Sequence, residues 1–456
     1  MKRELEHFLH RHLRAINDIM VLFALIFLVY STTVISDQGI FTDKLNQIYF
    51  VQENNGTDIQ QKIDDCPSSG CKIVIPSGTY YVDQILIDTS NITLEGAGDS
   101  TRIFLKDDSN KAALKLEDVE HVVVRQMYIN GNAPNNPKSH GIEMRRVNYT
   151  TIEYVTVENV SNKGIYLSGH SGGTANYNII QHNVVHGAGT NGIDLYIRVN
   201  HTKVYDNYVS DVGYVGILGI RDVHHNIFES NYVFRTYNDG IQIRGHEDAA
   251  EKSTYNVIKD NYVYYAATNN LAQGIFVNMN TENTLIDGNF VYGSGANGIE
   301  TTENSWNVFL TGNYVYKSGL HAFENQKSTG ALVGNYGSGS GSTDYATSSF
   351  MNMYFMGNVE GSTESGIVFD RGDSVSLDIT VKNAEKAADE EFLDSLQALE
   401  AKFISADVLS SVDPLSSLVL PDALSDGEGV VVCVKPDKTL GVCSSVPSEN
   451  QTCVCG

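Results

Sequence analysis

The stretch Gly192–Arg198 (GIDLYIR) sets an acid, Asp194, a phenol, Tyr196, and a guanidinium, Arg198, at alternate positions. Related chemistry returns downstream in Arg221, Asp222 and His224, and again in Gln242, Arg244 and His246. Such groups are the parts needed to take a proton from a carbon beside a carboxylate. A cation neutralises the carboxylate, a base takes the proton, and an acid serves the leaving oxygen or the opposite face. Hydrolysis of a glycosidic bond needs instead two carboxyl groups, about 5 to 5.5 Å apart for retention or about 6.5 to 9.5 Å for inversion; Asp194 and Asp222 are the pair on offer. The catalytic candidates are therefore Asp194, Tyr196, Arg198, Asp222, Arg244 and His246, and the substrate-binding candidates are Arg145, Arg221, His224 and Gln242. A solvated strand face carries similar residues for solubility alone, because exposed ion pairs contribute only about 0 to 1 kcal/mol.

What would gather these residues is a repeat. Gly precedes Ile at Gly141, Gly164, Gly192, Gly216, Gly240, Gly274 and Gly298, with Ala322-Phe323 as a degenerate eighth. A second mark runs in phase with it: Asn183, Asn207, Asn231, Asn261, Asn289 and Asn313 each precede an aromatic residue or Val and then Val. Most intervals are 23 to 28 residues, and the interval of 34 between Gly240 and Gly274 is accounted for if HEDAAEKSTY (246–255) is an inserted loop. A repeat of this length holds about three short strands and their turns, which stack as a solenoid. Leucine-rich repeats would require Leu at several fixed positions, and a propeller blade would be nearer 40 residues.

Strand alternation turns the Ile inward and the next residue outward. The outward rows then read Glu143, Tyr166, Asp194, Leu218, Gln242, Phe276, Glu300 and Glu324, then Arg145, Ser168, Tyr196, Ile220, Arg244 and Asn278, and near the turn His170, Arg198, Asp222 and His246. With coils about 4.8 Å apart, the candidates form one patch beside the inserted loop. Five of the few arginines, Arg145, Arg146, Arg198, Arg221 and Arg244, fall on or next to this face.

Over residues 55–370 the pattern resembles the parallel β-helix of the pectate-lyase-like superfamily. The likeness is most specific at its start: DIQQKIDDC, then KIVIPSGTYYV with Pro76, Gly78 and Tyr80, then SNITLEGAGDSTRIFL with Gly96 and Gly98. The resemblance implies an all-β right-handed solenoid with an N-terminal cap over 55–105, coils over about 106–370, and a ladder of the repeated asparagines. It further implies a carbohydrate-active protein of the lyase, epimerase or hydrolase kind. Mannuronan C5-epimerases carry Asp-Pro-His-Asp on this strand, and GIDLYIR is similar in register, with Asp194 kept and Leu195, Tyr196 and Ile197 in place of the other three. Calcium is the cofactor such sites could take, although no Asp cluster of the pectate-lyase type is recognisable and no His or Cys spacing reads as a metal site. A non-enzymatic stalk, adhesin or glycan-binding module is the alternative.

The chain around the repeat points outside the cytoplasm. Residues 19–36 carry no charge and follow a basic tail, 1–18; as a helix they span about 27 Å, near the thickness of a bilayer core. They are read as an anchor in the lipid bilayer, with a cleaved signal as the alternative, and 37–54 as a linker. The six cysteines, Cys66 and Cys71, then Cys433, Cys443, Cys453 and Cys455, suit disulfides in an oxidising compartment. Asn55, Asn91, Asn148, Asn159, Asn200 and Asn450 stand in glycosylation sequons. A net charge of −24 disfavours nucleic acid as a partner. After the coils, residues 371–426 are expected to hold a capping helix (384–403) and linker, and 427–456 a small cystine-rich hairpin. Arg371-Gly372-Asp373 matches an adhesion tripeptide, for which an ordinary charged turn is the better reading.

Overall fold

The computed structural model describes residues 47–348 apart from 53–55, 171, 249, 267–271, 303 and 327, and beyond them only short strands between 353 and 442. The segments read as anchor, capping helix and adhesion tripeptide lie outside the described residues, as do the cysteines from Cys443 onward. Near the C-terminus, Val431–Val434 pairs antiparallel with Leu440–Val442. Among the described residues no helix is long and apolar enough to cross a membrane.

Each coil has three strands, and every strand pairs in parallel with its equivalents in neighbouring coils. Among the described residues, one face is a 12-stranded sheet, and the other two faces join in a second sheet of 22 strands. The first sheet keeps Gly-Ile in register, with Ile142, Ile165, Ile193, Ile217, Ile241, Ile275 and Ile299 stacked rung on rung. At Gly192 the reason for glycine is contact rather than dihedral angle. A Cβ there would stand 2.3 Å from Val209 Cγ1 and 2.6 Å from the Gly216 carbonyl oxygen. Only a residue without a side chain lets the sheet corner close on the valine of the third face.

The asparagine ladder is formed. Asn231 donates from its side chain to Asn261 Oδ1 (3.0 Å) and the Val204 carbonyl (2.8 Å), and its own Oδ1 accepts from Asn207 (3.0 Å). The ladder runs from Asn183 to Asn335, and every polar atom it buries is matched within it or to backbone. A residue in the left-handed region precedes many rungs, including Asp206, Asp260 and Gly312, and makes the bend between the second and third strands. On another corner His121, Tyr149, Tyr177, His201, His225 and Tyr255 stack at 4.8 to 5.2 Å.

The helix Gly56–Asp64 buries Ile59 and Ile63 against the first coil, where Gln60 exchanges hydrogen bonds with Leu86. Cys66 and Cys71 form a disulfide beside it. This segment covers the open N-terminal edge, where further strands could otherwise add.

The long repeat corrects one expectation. Sixteen residues separate Ile241 from Val257, the start of the next strand of its coil, where ten separate Ile217 from Ile227 one coil earlier. A second lengthening falls between Tyr262 and Ile275, thirteen residues where Tyr232 and Ile241 are nine apart. The extra residues are thus split between two corners, and the loop beside the first sheet is shorter than the whole interval suggested.

Candidate functional site

Asp194 lies on the outer side of strand Ile193–Tyr196, between the core residues Ile193 and Leu195, yet it is only 1% exposed. Its row was expected to meet solvent, but Glu143, Gln242 and Glu300 are buried as well. The cover comes from residues two places before each Ile. Lys163 reaches across from the preceding coil, its Nζ 2.8 Å from Asp194 Oδ2, and Asn191 donates to the same oxygen at 2.8 Å. The other oxygen, Oδ1, is buried with no hydrogen-bond partner.

Aromatic rings close around this pair. The Lys163 ammonium sits 3.8 Å from the centre of the Tyr166 ring and 5.3 Å from that of Tyr196. His140 stacks on the far side of Tyr166 at 5.5 Å. Burial pushes the Tyr166 phenol up and the His140 imidazole down from their ordinary pKa values, so His140 is neutral at pH 7. Arg145 is tied to Glu143 at 2.7 Å in the coil below.

Tyr196 is held by the next coil. Arg221 Nη1 donates to its phenol oxygen at 2.9 Å, which leaves the phenol hydrogen free to point elsewhere. Nε and Nη2 of the same guanidinium both reach Glu251 Oε2 at 2.8 Å, and His246 Nδ1 lies 3.5 Å from that oxygen. Glu251 and His246 belong to the loop after Ile241–Arg244, which therefore flanks the face as expected.

The outward alternation expected through Asp194, Tyr196 and Arg198 stops at Tyr196. The strand ends at Tyr196, and Ile197 and Arg198 both adopt left-handed conformations, as do Arg221 and Asp222 one coil on. Two such residues in succession end the strand alternation, and Arg198 lies at the corner, near the turn as expected. There Asp222 accepts from His224 Nε2 at 2.6 Å and pairs with Arg198 at 3.6 Å, while His224 Nδ1 meets Thr254 Oγ1 at 2.7 Å. Asp194 and Asp222 are thus engaged in separate clusters.

Arg244 stands further along the face, its Nε buried without a partner and its Nη2 against Met279 Sδ. Near it is Asp239, 2% exposed, whose carboxyl is pushed up to about 7 by burial, with Glu300 adding to the rise. Lys163, Tyr166, His140 and Glu251 were absent from the sequence candidates. For His140 and Lys163 a signal was available: two places before each stacked Ile, and before Phe323 in the degenerate coil, the chain reads His140, Lys163, Asn191, Val215, Asp239, Gln273, Asn297 and His321, polar at every coil but one.

The one oxygen of Asp194 that is bonded takes an ammonium and an amide, and among the described residues no three His, Cys, Asp or Glu side chains gather as a metal cluster. An open cleft of about 460 Å³ lies elsewhere, at the bend between the other two faces, lined by Asp99, Gln126, Tyr154 and His182 among others. Of the sequons, Asn159 and Asn200 donate their amide nitrogens to Asn130 and Asn176, Asn91 reaches the Ser68 carbonyl at 3.4 Å, and Asn148 accepts from Asn176. Asn55 and Asn450 lie outside the described residues.

Residues 140–315 match the family model of the right handed beta helix region. No curated protein matches the sequence. Among solved structures, the A-module of the Azotobacter vinelandii mannuronan C-5 epimerase AlgE4 is similar with a TM-score of 0.61 at 17% identity, over 72% of this chain and 100% of that one. The AlgE6 A-module from the same organism gives 0.58 at 17%, over 74% and 100%. Coil register, family match and these likenesses agree that the body of this chain is a right-handed parallel β-helix, as its pectate-lyase-like pattern implied.

Proposed function

We propose that the protein binds and modifies an acidic polysaccharide on the face around Asp194, by proton abstraction beside a uronate carboxylate. The observation that carries this reading is Asp194 itself. It is an acid sealed under Lys163, with one oxygen left over, in a row where Leu218 and Phe276 serve the fold equally well.

Each part has its station on this face. Arg221 supplies positive charge for the uronate carboxylate. Tyr196, with its oxygen fixed by that arginine, exchanges a proton with the sugar carbon, and neutral His140 or Lys163 can serve as its counterpart. Asp194 and Asn191 orient Lys163. Returning the proton to the opposite face gives epimerisation; delivering one to the leaving oxygen gives elimination. The similar A-modules are named as mannuronan C-5 epimerases, which favours a uronate polymer as the substrate class.

We further propose that the body lies outside the cytoplasm, held by residues 19–36, with Asn159, the exposed one among the described sequons, best offered for glycosylation. A disulfide between Cys66 and Cys71 supports that compartment.

The test incubates the purified protein with uronate polymers in D2O, reading deuterium at the sugar carbon by NMR and new double bonds by absorbance. Tyr196→Phe, which keeps the ring and loses the proton, is expected to lower the rate about a hundredfold or more. Full activity in that variant, or none in the wild type on any uronate polymer, overturns the reading.

A further inference from the structure

Arg221 is the group best placed to receive a substrate carboxylate, and in this structure a carboxylate already sits on it. Nε and Nη2 both point at Glu251 Oε2, while Nη1 is engaged by Tyr196. A guanidinium presents its edge to carboxylates in this way, and any carboxylate docked there lies one guanidinium's width from the Tyr196 phenol.

The occupant comes from an insertion, not from the coil pattern. Glu251 belongs to the lengthened corner between Ile241–Arg244 and Val257–Lys259, whose neighbours turn tightly without it. The loop is secured at its own ends: His246 offers its carbonyl to Asn280 at 2.7 Å, Ser253 donates to the Arg244 carbonyl at 2.8 Å, and Lys252 pairs with Glu282. Those bonds hold the loop whether or not Glu251 stays on Arg221. The Glu251 side chain also remains partly open to solvent, at 20% exposure, so an incoming anion can reach the same nitrogens.

We infer that Glu251 is an internal stand-in for the substrate's carboxylate: it occupies the Arg221 subsite in the free protein and is displaced when a uronate residue binds. This rests on the proposed action at a uronate and adds to it a built-in competitor, which lowers apparent affinity and keeps Arg221 and Tyr196 aligned while the site is empty. A ligand that must displace a self-contact binds more weakly by the fraction of time the subsite is free.

The experiment measures binding of oligomannuronate and oligogalacturonate to the full-length protein by calorimetry, with carboxyl-reduced oligosaccharides as controls. Glu251→Gln keeps the shape and removes the charge, and is expected to tighten binding of the acidic oligosaccharides about five- to tenfold without changing the controls. In an Arg221→Gln background the same change is expected to have no effect, because the subsite it frees is gone. Unchanged or weaker binding in Glu251→Gln, with acidic oligosaccharides still bound by the wild type, makes Glu251 a plain structural clamp and overturns this inference alone. Failure of both proteins to bind any acidic oligosaccharide overturns the uronate reading and this inference with it.

Discussion

Asp239 gives the sharpest physical test. Its carboxyl is 2% exposed and is pushed up to about 7, first by burial and then by Glu300, against relief from the Gln273 N–H (2.8 Å) and Arg244. An acid protonated in the folded chain but ionised in the unfolded one makes the unfolded state the poorer proton binder. Stability therefore falls as pH rises, starting near the unfolded pKa of about 4 and ending near 7. A rise of about three units corresponds to about 4 kcal/mol at alkaline pH and nothing below pH 4. Asp239→Asn keeps the acceptor for the Gln273 N–H and cannot ionise. Its stability advantage over wild type is expected to grow by about 3 kcal/mol between pH 5 and pH 8. Because solenoids can open a few coils at a time, thermal midpoints across that range should be paired with hydrogen exchange at residues 239–275. Parallel pH profiles for the two proteins, or a variant less stable at pH 8, would refute the reasoning.

Two further outcomes bear on the solenoid itself. A Cβ on Gly298 would stand 2.1 Å from Val315 Cγ1, so Gly298→Ala should cost about 1 to 3 kcal/mol by thermal midpoint. Adding Val315→Gly should recover part of that loss, since one coil on Ala322 faces Gly337, the register partner of Val315; strictly additive losses would refute this. Asn231→Leu leaves the Asn207 backbone N–H without its acceptor and takes the side-chain donor from the Val204 carbonyl, while Asn261 Oδ1 keeps the residue-231 N–H; it is expected to cost about 3 kcal/mol, with exchange protection lost first between residues 204 and 261, and uniform loss along the chain would count against a local ladder.

The repeat was legible in the sequence because its two marks answer to short-range geometry. Gly precedes Ile where a side chain would strike the valine of the third face, and Asn recurs where a buried amide must meet its copy one coil away. The degenerate eighth coil obeys the same rule, with Ala322 admitted because Gly337 made room. The site was legible only in part. Counting forward from Gly found Asp194 and Tyr196 but passed over Lys163, which stands before the Gly and folds across it. Counting past Tyr196 set Arg198 near the turn beside Asp222, where it lies, but not the two left-handed residues that end the alternation there. Glu251 could not be placed at all, since its corner has no counterpart in other coils from which to read a register.

Burial also changes the weight of the bland reading of this face. Solvated ion pairs contribute little and imply little, but Asp194 and Lys163 are not solvated in that sense, with 2% and 19% of their side chains exposed. Taking a carboxylate and an ammonium out of water costs several kcal/mol per ion, and their attraction repays it only when the remaining lone pairs are satisfied. Here one oxygen of Asp194 is not. The solenoid has no need of the arrangement, because Leu218 in the next coil fills the same outward row with an apolar side chain. A position where the fold would be steadier without its charge, beside a phenol fixed by an arginine, is better explained by a ligand that completes it than by a surface that merely dissolves.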